Sequence, residues 1–167
     1  ARGGSYAYGM EVRDSKTNIR VENTDVGGNY PVMVAYGMLI TDGAVATLFG
    51  GSYQSTGGQN TVTIMADFSD LTADSVHIVA NGGMSTNTGI DALSIDEGNT
   101  IKLRDSTIEV GGGGTSTGAQ MKSVIFESEG NVIQVRDAEY TYGYKLLSKS
   151  LRLKGDRIEA SSLSGQV

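Results

Sequence analysis

Three carboxylates, Asp67, Asp70 and Asp74, crowd one short stretch of the chain. Close acids of this kind are the material of a hard-cation site, since Ca²⁺ takes several oxygen ligands at once. The EF-hand order of ligands is missing, so solvated acids are the plainer reading and Ca²⁺ the alternative. Further on, Arg104-Asp105 and Arg136-Asp137 repeat a basic-acidic pair. Together with the three acids, these arginines could supply a polysaccharide-cleaving site. Such a site also needs a poised base and a clustered acid or metal, and the sequence shows no such convergence. Asp74, Arg104, Asp105, Arg136 and Asp137 read better as a structural charge ladder. The one histidine, His77, reads as an isolated surface side chain. Gly111 to Gly114 followed by Thr115-Ser116-Thr117 lacks the Gly-Lys-Ser/Thr ending of a phosphate loop.

Aromatic residues form the other recurrent chemistry. Ala35-Tyr36-Gly37-Met38 repeats Ala7-Tyr8-Gly9-Met10, and Thr88-Gly89-Ile90, Thr117-Gly118-Ala119 and Tyr142-Gly143-Tyr144 hold the same place later. An aromatic-or-Thr column beside a Gly column is expected along one edge. Such a column usually serves packing; as a stripe on which sugars stack it would offer Tyr8, Tyr36, Tyr142 and Tyr144.

Positioning these residues requires a repeat, and one is present. Counting from anchors at Lys16, Gly43, Phe68, Gly98, Gly130 and Gly155, a pair of small or apolar residues lies three and five positions on: Ile19/Val21, Ala46/Leu48, Leu71/Ala73, Ile101/Leu103, Ile133/Val135 and Ile158/Ala160. A spacing of two puts both members on one face of a strand. Ten past the anchor come Val26, Tyr53, Ile78, Ile108 and Tyr140, with Leu163 slightly early. The outward position next to the second member then reads Glu22, Phe49, Asp74, Arg104, Arg136 and Ser161. Phe49, pointing outward, would suit a lateral contact with another subunit. Gly pairs interrupt every copy and no helical apolar period survives, so helical repeats are excluded. The pattern predicts an all-β fold, a parallel β-helix of about six coils with 25–32 residues each, roughly 29 Å tall at the usual strand spacing. Residues 1–167 then form a single β-solenoid domain, expected to be a fragment of a longer chain because both ends fall inside the pattern.

Composition narrows the partners. From Val21 to Ile101 there is no Lys or Arg, while nine acids fall in that span, including Asp96 and Glu97. That charge repels phosphate backbones, so no nucleic acid is expected. No apolar run is long enough to cross a bilayer, so no membrane insertion is expected. The last coil is net basic through Lys145, Lys149, Arg152, Lys154 and Arg157, which makes an end-to-end or staggered contact electrostatically reasonable. Cysteine is absent, which removes disulfides and thiolate metal sites.

Gly3-Gly4-Ser5-Tyr6-Ala7-Tyr8-Gly9, with the closing Ile158-Glu159-Ala160-Ser161-Ser162-Leu163-Ser164-Gly165, resembles right-handed parallel β-helix proteins of the pectin-lyase-like superfamily. The resemblance is to the non-catalytic repeat regions of bacterial surface proteins and phage tailspikes. It implies an extracellular, cell-surface or virion location and a structural or binding role, with polysaccharide, neighbouring coils of a longer chain or a homo-oligomer as partners. Polysaccharide lyases and hydrolases share the superfamily and form the alternative, but their catalytic constellations do not map onto these residues.

Overall fold

The computed structural model describes residues 5–29, 33–94, 98–148 and 150–163. Each repeat becomes one coil of three strands because each holds three short segments in which every second side chain is apolar or small. The first coil comprises β1 (Tyr6–Arg13), β2 (Asn18–Glu22) and β3 (Asp25–Asn29). The next two are β4 (Val34–Thr41), β5 (Val45–Phe49) and β6 (Ser52–Thr56), then β7 (Asn60–Asp67), β8 (Asp70–Asp74) and β9 (His77–Asn81). The fourth holds β10 (Thr86–Leu93), β11 (Thr100–Arg104) and β12 (Thr107–Gly111). The last two are β13 (Thr115–Lys122), β14 (Ile125–Glu129) and β15 (Val132–Ala138), then β16 (Tyr140–Leu147), β17 (Ser150–Lys154) and β18 (Arg157–Ser162).

Stacking the coils produces three six-stranded sheets. Sheet A runs β1-β4-β7-β10-β13-β16, and the other two collect the second and third strands of each coil as sheets B and C. Every pairing is parallel. The fold is a β-solenoid of six coils, as the repeat predicts.

Registers inside it differ from the expected ones in the last two coils. Ile101 pairs with Phe126 on sheet B, whereas Ile133 pairs with Ile108 and Ile158 on sheet C. The sheet B column is therefore Ile19, Ala46, Leu71, Ile101, Phe126 and Leu151. Sheet C carries Val26, Tyr53, Ile78, Ile108, Ile133 and Ile158, so Tyr140 and Leu163 are not members of it. The anchors explain the slip. Gly43 and Phe68 lie at the corner between sheets A and B, while Gly130 and Gly155 lie at the corner between B and C, and all four have φ between 52° and 80°. Both corners turn through a left-handed residue, and both are followed by a short strand with an apolar-polar-apolar run from its second residue, so the two are alike in sequence. At the B–C corner the left-handed residue recurs in every coil: Asn23, Gly50, Ser75, Asp105, Gly130 and Gly155.

Sheet A strands are longer because they bend. In β4, Gly37 and the next residue Met38 are both buried, so strict alternation breaks there. Glycine is needed at this bend because the coil is narrow: a Cβ on Gly118 would lie 2.5 Å from Ile133 Cγ2 and 2.5 Å from the Gly143 carbonyl oxygen. The interior is a continuous apolar stack led by Tyr53, Phe126, Met38 and Ile40, none of them measurably exposed. At about 1.5–3 kcal/mol for each large side chain, this stack is the main source of stability.

Polar ladders line two corners beside it. At the B–C corner Val76 N–H donates to Ser106 Oγ, Ser106 N–H to Asn131 Oδ1 and Asn131 N–H to Asp156 Oδ1, at 3.1, 2.9 and 2.9 Å. Coils four, five and six thus each lend a side-chain oxygen to the backbone of the coil before. Between sheets C and A, the inward Thr61, Asn87 and Ser116 bond the carbonyls of Gly57, Gly83 and Gly112. These bonds satisfy backbone groups that a tight turn would otherwise leave unpaired.

Candidate functional site

With the interior given over to packing, chemistry is left to the outer faces. On sheet A the expected aromatic-or-Thr column is present: Tyr8, Tyr36, Val62, Thr88, Thr117 and Tyr142 stand in register. The Tyr8 and Tyr36 rings stack with centroids 5.3 Å apart and planes 10° from parallel. Burial and the adjacent Tyr8 raise the Tyr36 hydroxyl above its ordinary pKa. Tyr142 lies under Lys145, whose Nζ is 4.9 Å from the ring centroid. Tyr144 leaves the group. Beyond the bend it turns inward, packs edge-on against Phe126 at 5.5 Å, and shares its hydroxyl with Ser128 and Asp156. Burial pushes that hydroxyl's pKa well up, and Tyr144 is partly buried against the core.

The acids named for metal binding or catalysis separate along the coil. Asp67 closes β7 on sheet A, while Asp70 and Asp74 stand at opposite ends of β8 on sheet B. At roughly 3.3 Å per residue, those two are about 13 Å apart. Asp70 Oδ1 accepts the Thr100 N–H at 2.7 Å, a structural duty. Among the described residues, His, Cys, Asp and Glu nowhere form a group of three suited to a metal ion. Asp67 is raised by desolvation and by Asp42, and Asp91 by desolvation and Asp67. These acids therefore share the outer part of sheet A at some electrostatic cost.

Arg104 and Arg136 do not meet. Arg104 ends β11 on sheet B and pairs in register with Asp74 and Glu129, whereas Arg136 lies on sheet C opposite Gly111. Asp105 is the left-handed residue of the B–C corner, and Asp137 lies in the irregular end of β15. The outward column on sheet B is Glu22, Phe49, Asp74, Arg104, Glu129 and Lys154. A charge ladder exists, but its upper members are Glu129 and Lys154 instead of Arg136 and Asp137. Lys154 Nζ bonds Glu129 directly and holds its carboxyl below the usual range. Lys102 and Glu127, 3.6 Å apart, form a parallel rung beside it.

Phe49 points outward as expected, and Arg20 covers its ring at 4.3 Å. His77 also points outward but has company. Its Nε2 is 3.1 Å from Glu109 Oε1, and the other oxygen of Glu109 faces Arg136 at 3.9 Å. Alternation of side chains revealed the face of His77; its contact with Glu109, two positions along the neighbouring strand, needed the register.

The two arginines line separate shallow hollows, about 210 Å³ around Arg136 with Gln134 and Glu159, and about 20 Å³ around Arg104 with Glu127 and Glu129. Small-molecule sites usually occupy about 300 Å³ or more. Gly3, Gly4, Asp96, Glu97, Lys149, Ser164 and Gly165, which entered the sequence reading, lie outside the described residues. No protein-family model matches the chain, nor does any curated protein or solved structure.

Proposed function

We infer that the chain is a non-catalytic structural and binding segment of an extracellular surface, adhesin or tail-fibre protein. On this reading its β-helix is comparable to the repeat regions of the pectin-lyase-like superfamily. One observation carries it: the outward acids, arginines and His77 are dispersed over three faces and tied into ladders along the stack, with Asp74, Arg104, Glu129 and Lys154 the longest run. Glycan cleavage requires carboxylates or an arginine-acid pair converging on one bond. A rod instead pairs opposite charges along its faces from coil to coil, as Glu129 and Lys154 do.

Polysaccharide contact falls to the outer face of sheet A. Because Tyr8 and Tyr36 stack on each other, their ring edges and hydroxyls, rather than a shared open ring face, meet the ligand. Tyr142 offers the same edge five coils along. Aromatic side chains with a polar tip suit a surface that is half apolar and half hydrated, as a sugar is.

The test is to incubate the chain with a panel of acidic and neutral bacterial polysaccharides, following both retention and the appearance of new chain ends. The expected result is retention of at least one polysaccharide, weakened roughly tenfold by Tyr36→Ala, with no new ends. Chain cleavage that Arg104→Ala or Arg136→Ala abolishes would overturn the reading in favour of a lyase or hydrolase.

A further inference from the structure

Sheet A is creased along its length. In a straight strand residues three apart point to opposite faces, yet Lys145 Nζ lies 4.9 Å from the centroid of the Tyr142 ring. The bend turns both side chains to the same side. A Cβ on Gly37 would lie 2.9 Å from the Gln54 carbonyl oxygen of β6, and one on Gly89 would lie 2.5 Å from Ile108 Cγ2 of β12. The middle of sheet A thus dips across the narrow coil until it touches sheet C. In the third coil Thr63 takes the glycine's place, and its hydroxyl donates to the Val79 carbonyl of β9 at 2.7 Å. Seen from outside, the dip is a furrow running from coil to coil, deep enough that Val62 and Thr117 on its wall are only 8% and 3% exposed.

The aromatic-or-Thr column forms one wall. Facing it, three residues further along each strand, stand Leu39, Met65 and Asp91 in coils two to four. Desolvation raises the Asp91 carboxyl, and Asp67 adds to this. Asp67 Oδ1 is itself buried and meets no donor. The Tyr36 hydroxyl is raised by burial and by Tyr8 and Tyr6, and Asp91 and Asp67 add to this from across the furrow. No Lys or Arg occurs between Val21 and Ile101. Cations enter this face only in the first coil, as Arg13, which Glu11 and Asp42 engage, and in the fifth and sixth, as Lys122 and Lys145. The central furrow is therefore half apolar, rich in hydroxyls and acidic.

We propose that this furrow binds a polysaccharide bearing free amino groups, the sugar chain lying along the stack with its ammonium groups against Asp91 and Asp67. This rests on the reading of sheet A as the polysaccharide face, and it names the class of sugar. A peptide fits poorly: β4, β7 and β10 are each paired on both sides, so the furrow has no free backbone to meet a peptide's amides. A sugar chain carries its hydrogen-bonding groups on its rings, and here rings, hydroxyls and carboxylates recur at every coil, about 4.8 Å apart. Leu39 and Met65 supply apolar contact for the C–H faces of the sugar. An ammonium beside Asp91 forms a charge-assisted hydrogen bond and relieves the repulsion from Asp67. A uronate chain would add to that repulsion.

Titration calorimetry of the full chain tests this with oligomers of β-1,4-linked glucosamine, their N-acetylated counterparts of equal length and oligogalacturonate, in mildly acid buffer where the sugar amines are charged. The expected result is that the glucosamine oligomer binds about tenfold tighter than its N-acetylated form, with oligogalacturonate weakest. The preference should shrink in about 1 M salt, which screens charges beyond about 3 Å. Asp91→Asn should erase it, whereas Asp74→Asn, which removes the same charge from sheet B, should preserve it; thermal melting confirms that both variants fold. Equal binding of the N-acetylated oligomer, tighter binding of oligogalacturonate, no binding of the glucosamine oligomer, or a preference that survives Asp91→Asn would each overturn the proposal. Retention of a neutral or acidic polysaccharide would then leave the binding rod standing, while loss of all polysaccharide retention would remove both readings.

Discussion

Asp91 stands on the outer side of sheet A, half-buried, with Gln120 Nε2 donating to its Oδ1 at 3.2 Å. Desolvation raises its pKa, the adjacent Asp67 adds to this, and Gln120 and Lys145 only partly oppose it. A carboxyl raised in the folded state binds more protons there than in the unfolded chain as pH climbs past the ordinary aspartate value of 3.8. Stability therefore falls as pH rises through that window, and the penalty is complete above the folded-state pKa. Asp91→Asn keeps the acceptor oxygen and removes the charge. It should stabilise the fold by roughly 0.5–1 kcal/mol at neutral pH, a gain that disappears in acid, where both states of Asp91 are protonated; urea denaturation at the two pH values measures it. Such residues were half legible in the sequence. The repeat of aromatic-Gly pairs offered Tyr142 and Tyr144 together as candidates for one outer column, and only Tyr142 stands in it. The bend at Gly143 shifts the phase by one residue, and only packing against Ile158, whose Cγ2 occupies the space a Gly143 Cβ would need, reveals why.

At the scale of elements, the corners specify the fold as firmly as the strands do. Asn131 is fully buried: Ser106 N–H donates to its Oδ1, and its Nδ2 reaches the Leu103 carbonyl, Ser128 Oγ and Asp156 Oδ1 at 3.1, 2.8 and 2.9 Å. Removing that amide leaves the buried Ser106 N–H without its acceptor and takes one bond each from the Leu103 carbonyl, Ser128 and Asp156, and an unpaired buried group costs about 1–3 kcal/mol. Asn131→Ala should destabilise the chain by roughly 2–4 kcal/mol. Gln134→Ala, on the outer face of β15, should change stability by less than about 0.5 kcal/mol. Calorimetric melting of the two variants separates them. The repeat exposed the first four coils with the right strands, since their anchors all precede sheet B. It failed at Gly130 because a left-handed Gly followed by an apolar pair announces a corner without saying which corner. Phe126 and Ser128 hid the true fifth member of the sheet B column: a large aromatic and a hydroxyl do not look like Ile101 and Leu103, yet all four sit at the same two inward places.

For the whole molecule, the consequence of parallel stacking is that every outward residue acquires neighbours about 4.8 Å away in the coils before and after it. That rule turns a scattered list of charges into columns, and it changes which residues are partners. Arg104 belongs with Asp74 and Glu129, while Arg136 belongs with Gly111 and the His77–Glu109 contact. The uneven charge along the sequence becomes an acidic middle and a basic last coil. Because cysteine is absent, the register can be read directly with paired nitroxide labels. Lys102→Cys with Glu127→Cys should give the strong spectral broadening of labels on adjacent strands, whereas Lys102→Cys with Gln134→Cys, on sheets B and C, should give little. Broadening in the second pair and none in the first would contradict the stack described here.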